Sequence, residues 1–559
     1  MYDSIQPEPE GSPAHCSTPL YQVIIESSTI IQYKKLINFN ENLTGDHSPR
    51  IVTYSAGHAT IQAKTAGYPE DMNKAFYLIV FLFVFPGYTS GEQKSIVLKK
   101  CIDCHAVQAD ANHQQSCLSC HKGNDQAADK KSAHQGYIPF PAHPEHLARA
   151  CGDCHAETVN RIVGTVHFTL NNSTNMFRKA FGAENTLTSF RQTPKKSDPE
   201  TVLDLADDLL RRRCFRCHLY SSGDNYPAVT HGTGCAACHM SFTDGKLASH
   251  SWQKPGDEQC LSCHYGNYVG FDYYGRFEHD FNVEYRTPFT TKEKHFRPYG
   301  VEYHQLQPDI HQSRGMLCID CHSGRELMDP AGEKPSCKKC HQLEELQRSL
   351  PAQVAEQQGI FVLHGRNGKD HAMPVMRHPA HKELKGKINC QVCHAQWTFN
   401  DIGKHFLRSD TDDFNMWANL SVQGDFAVET IIDNNNDFDQ TELPPEMTDT
   451  LTGQTETGLW YKGFTMRRWE IPLLGRDAQG NITTMRPLLD FHLSWIDEEE
   501  NVRFDSVPSQ APDKGLRSYT PHTTGPAGFF YRERIEQFLA TERAAQTSTG
   551  KPEKNRPTD

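Results

Sequence analysis

Cys151-Gly152-Asp153-Cys154-His155 is the stretch that decides how this chain is read. Its form, C-x-x-C-H, occurs nine times. Two copies precede it, at Cys101, Cys104 and His105 and at Cys117, Cys120 and His121. Six follow it: Cys214, Cys217 and His218; Cys235, Cys238 and His239; Cys260, Cys263 and His264; Cys318, Cys321 and His322; Cys337, Cys340 and His341; Cys390, Cys393 and His394. Together they take up eighteen of the nineteen cysteines.

C-x-x-C-H is the attachment sequence of a c-type haem. Two thiols add to the two vinyl groups of one porphyrin, and the adjacent histidine lies under the iron as proximal ligand. Two intervening residues let both sulfurs reach one edge of a flat ring. Zinc ribbons and thioredoxin-like sites also use C-x-x-C pairs, but they do not require a histidine directly after every second cysteine. A disulfide framework made of two-residue loops nine times over is not a usual one, even in an exported protein. The expected cofactors are therefore nine covalent c-type haems.

The composition fits large apolar cofactors. Only 37% of the 559 residues are hydrophobic, and porphyrin faces would supply part of the missing core. Thirty histidines are far more than ordinary usage, and ligation of iron accounts for them economically. The formal charge of −12 argues against nucleic acid as a partner and favours basic partners or cations.

Residues 1–71 are polar and irregular and hold the unpaired Cys16. Met72-Asn73-Lys74, an apolar run from Ala75 to Phe85 and Pro86-Gly87-Tyr88-Thr89-Ser90-Gly91 read as a signal peptide over 72–91. The run is too short for a stable transmembrane span. The 1–71 extension then reads as a start-site artefact, with export to the periplasm or the outer surface of a bacterium. The nine-haem region runs over 92–409. Its motifs fall as a close pair and then a single, which suggests three-haem repeats at 101–213, 214–317 and 318–409. His143-Pro144-Glu145-His146 and His378-Pro379-Ala380-His381 stand at matching places in the first and third units. The expected fold is haem-organised, mostly loop and short α-helix. The clearest helix begins at Asp198-Pro199-Glu200, continues through Leu205, Leu209 and Leu210 and delivers Cys214.

Each iron has a second axial position, and the ligand there sets potential and reactivity. The best-placed histidines are His113, His134, His146, His167, His231, His250, His279, His311, His381 and His405, ten names for nine places. His113 and His231 stand four residues before a motif, too close to serve that haem easily, so each is expected to reach a neighbour. His143, His295, His364, His371 and His378 are reserves.

From 410 to 535 the pattern changes to a β-rich module. Leu459–Tyr461 and the stretch to Ile471 are strand-like, Asp477–Asn481 is a hairpin turn, and Leu488–Trp495 with Val502–Val507 forms a second hairpin. Asp433-Asn434-Asn435-Asn436-Asp437-Phe438-Asp439 resembles the start of a calcium loop but lacks the glycine and glutamate such a loop needs, so calcium is a weak expectation beside a solvated acidic turn. Residues 536–559 read as a helical end and a disordered tail.

At the nine motifs, the signal and the histidine surplus, the chain resembles multihaem c-type cytochromes, and most closely the large exported ones of metal-respiring bacteria. The segment from Arg297-Pro298-Tyr299 to His311-Gln312-Ser313-Arg314-Gly315-Met316-Leu317-Cys318 looks typical of them, as do Arg467-Arg468-Trp469-Glu470 and Pro521-His522-Thr523. In similar proteins a further haem motif would follow the P-H-T segment. None follows here, so His522 is expected to have no local haem to serve. The resemblance implies electron transfer along closely packed haems. It also implies other redox proteins, a membrane quinol-oxidising complex and extracellular metal oxides as partners. The alternative it implies is an oxidoreductase that reduces a small nitrogen or sulfur oxyanion at one open-site haem. Relatives that mark such a haem with C-x-x-C-K find no counterpart in this sequence.

Overall fold

A helical turn explains why the motifs fold as they do. Residues at i, i+3 and i+4 share one helix face, so a single turn of C-x-x-C-H sets both thiols and the imidazole on the same side. Motif residues begin or close short helices at Cys117–His121, Cys235–His239, Cys318–Cys321, Cys337–His341 and Gln391–His394. The third and sixth motifs sit in longer helices, α1 (Leu147–Ile162) and α3 (Asp257–His264). The structure is a computed structural model. It describes residues 101–548 except 106, 108, 128, 266–268, 280–295, 414–421, 438, 464–465, 471 and 529–530. The 1–71 extension, the 72–91 signal, Cys16, His295 and the tail beyond 548 lie outside the described residues.

The fourth motif is delivered differently. Helix α2 (Val202–Leu209) starts three residues later than the Pro199 reading places it, because Thr201 and Asp204 form a reciprocal capping box. Thr201 Oγ1 accepts from the Asp204 N–H at 3.1 Å, and Asp204 Oδ2 accepts from the Thr201 N–H at 3.0 Å. The chain then widens into a π-turn, Leu210–Cys214, and a 3-10 turn, Phe215–Cys217. The extra residue per turn lets Arg211, Arg212 and Arg213 all point inward, and all three are buried.

Those arginines meet the C-terminal region. Besides a small hairpin, Glu446–Thr448 with Thr455–Thr457, its strands are β1 (Thr398–Ile402), β2 (Lys404–Ser409), β3 (Leu459–Lys462), β4 (Met466–Glu470), β5 (Leu473–Arg476), β6 (Ile482–Pro487), β7 (Phe491–Ile496), β8 (Val502–Pro508) and β9 (Leu516–Ser518). They form a four-stranded sheet in the order β3-β2-β7-β8, a β1–β4 pair and a three-stranded sheet β5-β6-β9. Strand β2 runs parallel to β7, and its other pairing is antiparallel. The β5–β6 hairpin turns on Asp477, whose Oδ1 accepts from the Gln479 and Asn481 N–H groups. The sheet region begins at Thr398, ahead of residue 410, and so takes in His405.

One apolar core joins this sheet to the segment that leads to the fourth motif. Phe190, Leu205, Leu209 and Phe215 pack with Val428, Ile432, Leu459, Trp460, Leu493 and Trp495. Around it Arg211 binds Asp449 at 2.6 Å, Arg212 binds Asp208 at 2.7 Å and the carbonyls of Thr457 and Gly458, and Arg213 donates to the carbonyls of Trp460 and Gln423. The calcium-loop candidate takes another form. Asp433, Asn434 and Asn435 end helix α4 (Phe426–Asn435), and the two asparagine amides donate to the carbonyls of Thr441 and Leu443. Helix α5 (Tyr531–Ser548) closes the described chain.

Candidate metal and cofactor sites

Seven motif histidines face a histidine from outside the motifs. The pairs, with ring-centroid separations, are His105–His134 (6.0 Å), His121–His250 (6.3 Å), His155–His113 (6.4 Å), His264–His167 (6.3 Å), His322–His522 (6.4 Å), His341–His311 (6.0 Å) and His394–His381 (6.1 Å). Two metal–nitrogen bonds of about 2 Å and two ring half-widths of about 1 Å sum to about 6 Å. The spacing has room for two imidazoles on one metal.

Hydrogen bonds at Nδ1 set the rings. Among motif histidines, Nδ1 of His121 meets the Ile138 carbonyl at 2.9 Å, that of His239 the Gln253 carbonyl at 2.8 Å, that of His341 the Pro374 carbonyl at 2.8 Å and that of His394 the Gly525 carbonyl at 2.9 Å. His322 Nδ1 meets Glu326 at 2.9 Å. Opposite them, His134 Nδ1 meets the Lys130 carbonyl, His311 Nδ1 meets Asp309 and His113 Nδ1 meets Asp110. An acceptor at Nδ1 fixes the tautomer whose lone pair is at Nε2, the atom a metal takes. The Trp252 N–H, ahead of Asn112 and His113, holds Asp110 down to about 2, so this acceptor stays ionised.

Six of the ten predicted distal histidines thus lie opposite motif histidines: His113, His134, His167, His250, His311 and His381. The other four do not. His405 lies on β2 with Nε2 on Ser494 Oγ at 2.8 Å, so strand pairing has carried it away from the ninth motif. His279 stacks on His304 at 4.4 Å, too close to admit a metal between them. His146 precedes α1 and its ring is 6.0 Å from His143. His231 sets Nε2 3.5 Å from Cys263 Sγ, beside the sixth motif. Among the reserves, His143 and His378 each accept from a backbone N–H two residues on, which is a capping role, while His364 and His371 lie on a small sheet. His522 is the residue the sequence reading placed without a haem; it faces His322 from 200 residues further along the chain. Only the P-H-T resemblance pointed at it, and local spacing could not.

The thiols show which motifs are neighbours. Cys101 interacts with Cys117, Cys120 with Cys151, Cys151 with Cys235, Cys238 with Cys260, Cys260 with Cys318, Cys321 with Cys340 and Cys337 with Cys390. That is a row of eight motifs, first to last: 101, 117, 151, 235, 260, 318, 337 and 390. The fourth motif is off the row, joined through Cys217 to Cys263 of the sixth.

The thiols of Cys214, Cys238 and Cys321 are exposed at their tips, while the protein packed around them raises them above the usual thiol range. Two thiols and a histidine presented within one short turn suit a flat apolar group joined by neutral thioethers. Zinc would want convergent thiolates, and among the described residues no three His, Cys, Asp or Glu side chains converge on one point. The residues fit haem.

No family model matches the chain, and neither a curated protein nor a solved structure is similar to it. The chemistry of the sites therefore rests on their own geometry.

His218, which with His239 lies outside those seven pairs, has surroundings of its own. It is buried, its Nε2 has no hydrogen-bond partner, and its Nδ1 accepts from the Tyr220 N–H at 3.1 Å. The Phe190 ring lies 4.6 Å from it. Burial pushes its pKa down to about 4, so the ring is neutral with a nitrogen facing no protein acceptor.

Proposed function

We propose that the protein transfers electrons through nine covalently bound c-type haems, exported to the periplasm or outer surface of a bacterium and working in anaerobic respiration. The observation that carries this reading is the set of seven opposed histidine pairs at 6.0–6.4 Å. Haem iron supplies the one-electron couple, with a potential tuned by axial ligands, hydrogen bonding and burial. The chain's part is to hold two imidazoles in place in both oxidation states, so that little rearranges when an electron arrives. The Nδ1 acceptors do this by fixing tautomer and ring direction. The order of the motifs makes the path: eight in a row, so electrons enter at one end and leave at the other. Partners are other redox proteins, with a membrane quinol-oxidising complex upstream and extracellular metal oxides downstream. No helix among the described residues is long and apolar enough to cross a membrane.

A second reading is favoured by the two motifs whose histidines, His218 and His239, have no facing imidazole among the ring contacts of the described residues. A side-branch haem whose histidine has Phe190, and no imidazole at about 6 Å, among its ring contacts would leave one iron face for a small oxyanion. That is an oxidoreductase fed by the row.

Low-temperature EPR of the oxidised protein, with haem counted chemically, separates the two. Nine low-spin ferric haems support the conduit. One high-spin signal that shifts on adding nitrite, hydroxylamine or sulfite supports the enzyme. A haem count near zero removes both.

A further inference from the structure

We propose that His522 is the sixth ligand of the iron attached at Cys318, Cys321 and His322, and that the segment around it sets the axial ligands of the two following haems as well. This rests on the nine-haem reading.

The geometry at His522 matches that of the other pairs. Its ring lies 6.4 Å from that of His322, with the planes 21° apart. The ring is buried against the Thr520 backbone, and the backbone on its other side holds it in place. That backbone is clamped. Thr523 is fully buried; its hydroxyl donates to the Trp397 carbonyl at 2.7 Å, and its carbonyl accepts from the Gln396 N–H at 2.9 Å. The Thr524 N–H donates to Asp309 Oδ2 at 2.6 Å, and the Thr524 carbonyl accepts from the Ile310 N–H at 2.8 Å. A side chain at Gly525 would push against the Gln396 side chain, whose Nε2 donates to the Thr524 carbonyl at 3.1 Å.

The same bonds reach two further sites. Asp309 Oδ1 accepts from His311 Nδ1 at 2.8 Å, and His311 faces His341. One carboxylate therefore links the Thr524 backbone to the distal side of the eighth motif. The Gly525 carbonyl accepts from His394 Nδ1 at 2.9 Å, which orients the proximal side of the ninth. Residues 522–525 thus touch the ligand sets of the seventh, eighth and ninth motifs. The C-terminal module completes haem sites and is more than a cap over them.

The test uses the full-length chain matured with its haems. In His522→Ala, the haem count should stay at nine while one iron turns from low-spin to high-spin in the EPR spectrum, and added imidazole should return it to low-spin. Nine haems with an unchanged low-spin spectrum would overturn the assignment. Should the alanine variant fail to fold, His522→Met carries the same test. A thioether ligand keeps the iron low-spin but raises the potential of one component in a redox titration, and a titration identical to the wild type would again overturn it. A wild-type protein that holds no haem removes the underlying reading and this one with it, which is a different result from nine haems without a spectral change.

Discussion

His250 and His405 each stand eleven residues after a motif histidine, and their surroundings have nothing in common. His250 faces His121 of the second motif, with the chain nearby held by a bridge between Ala109 and His250. His405 belongs to a sheet and spends its Nε2 on Ser494. His250→Ala should convert one iron to high-spin, whereas His405→Ala should leave the spectrum of every haem unchanged; EPR on the two variants measures both. The same pair shows what a sequence can carry at this scale. The attachment residues are legible because both thiols and the proximal imidazole must lie within five consecutive positions. The distal partner is not, because nothing in local spacing says that His113 reaches past the second motif to the third, or His167 past two motifs to the sixth.

At the scale of elements, Arg212 shows how the sheet region and the haem region are welded together. Its guanidinium is almost wholly buried on Asp208 and three carbonyls, Glu456 to Gly458. Without Arg212, Asp208 keeps Arg408 at 3.5 Å and the Trp460 indole N–H at 2.8 Å, but three buried carbonyls lose their donor. Arg212→Ala should therefore cost about 1–3 kcal/mol, read as a fall in the denaturant midpoint. A basic run such as Arg211-Arg212-Arg213 reads in sequence as a solvated face; the π-turn that buries it leaves no compositional sign. The β7–β8 hairpin carries a pH-dependent contribution. Burial raises the pKa of Asp497, but the Asn501 backbone and side chain and Arg503 outweigh it and leave the carboxyl below its usual value. A carboxyl lowered in the folded state stabilises fully above its unfolded pKa of about 3.9, and the contribution drains as pH falls through the folded value. Wild type should thus lose thermal midpoint faster than Asp497→Asn as pH drops below about 4. Parallel curves would rule the contribution out. The two C-terminal hairpins were readable because turn residues and alternating strands announce them. At the weak calcium-loop candidate, Asn434 and Asn435 close a helix and tie down the loop that follows it.

At the scale of the whole molecule, the eight-motif row and the charge of −12 set how partners arrive. An acidic donor or acceptor attracts cationic partners over a distance that salt shortens, to about 10 Å at 0.1 M. Electron exchange with a cationic mediator should slow as ionic strength rises, and exchange with an anionic one should speed up; stopped-flow reduction at several salt concentrations measures this. Motif order along the chain suggests three-haem repeats at 101–213, 214–317 and 318–409. The spatial order keeps eight motifs in sequence and sets the fourth aside, because the 214 motif is pulled toward the sheet by its arginines.

The separation of His322 from His522 bears on how the molecule comes into being. On the nine-haem proposal, attachment at Cys318 and Cys321 would need only the local motif, whereas His522 must be brought to His322 by folding from 200 positions away. Until that contact forms, the seventh iron would keep one free face, open to small ligands from its surroundings. A chain cut short before residue 522 would then be fully pigmented and still unfinished.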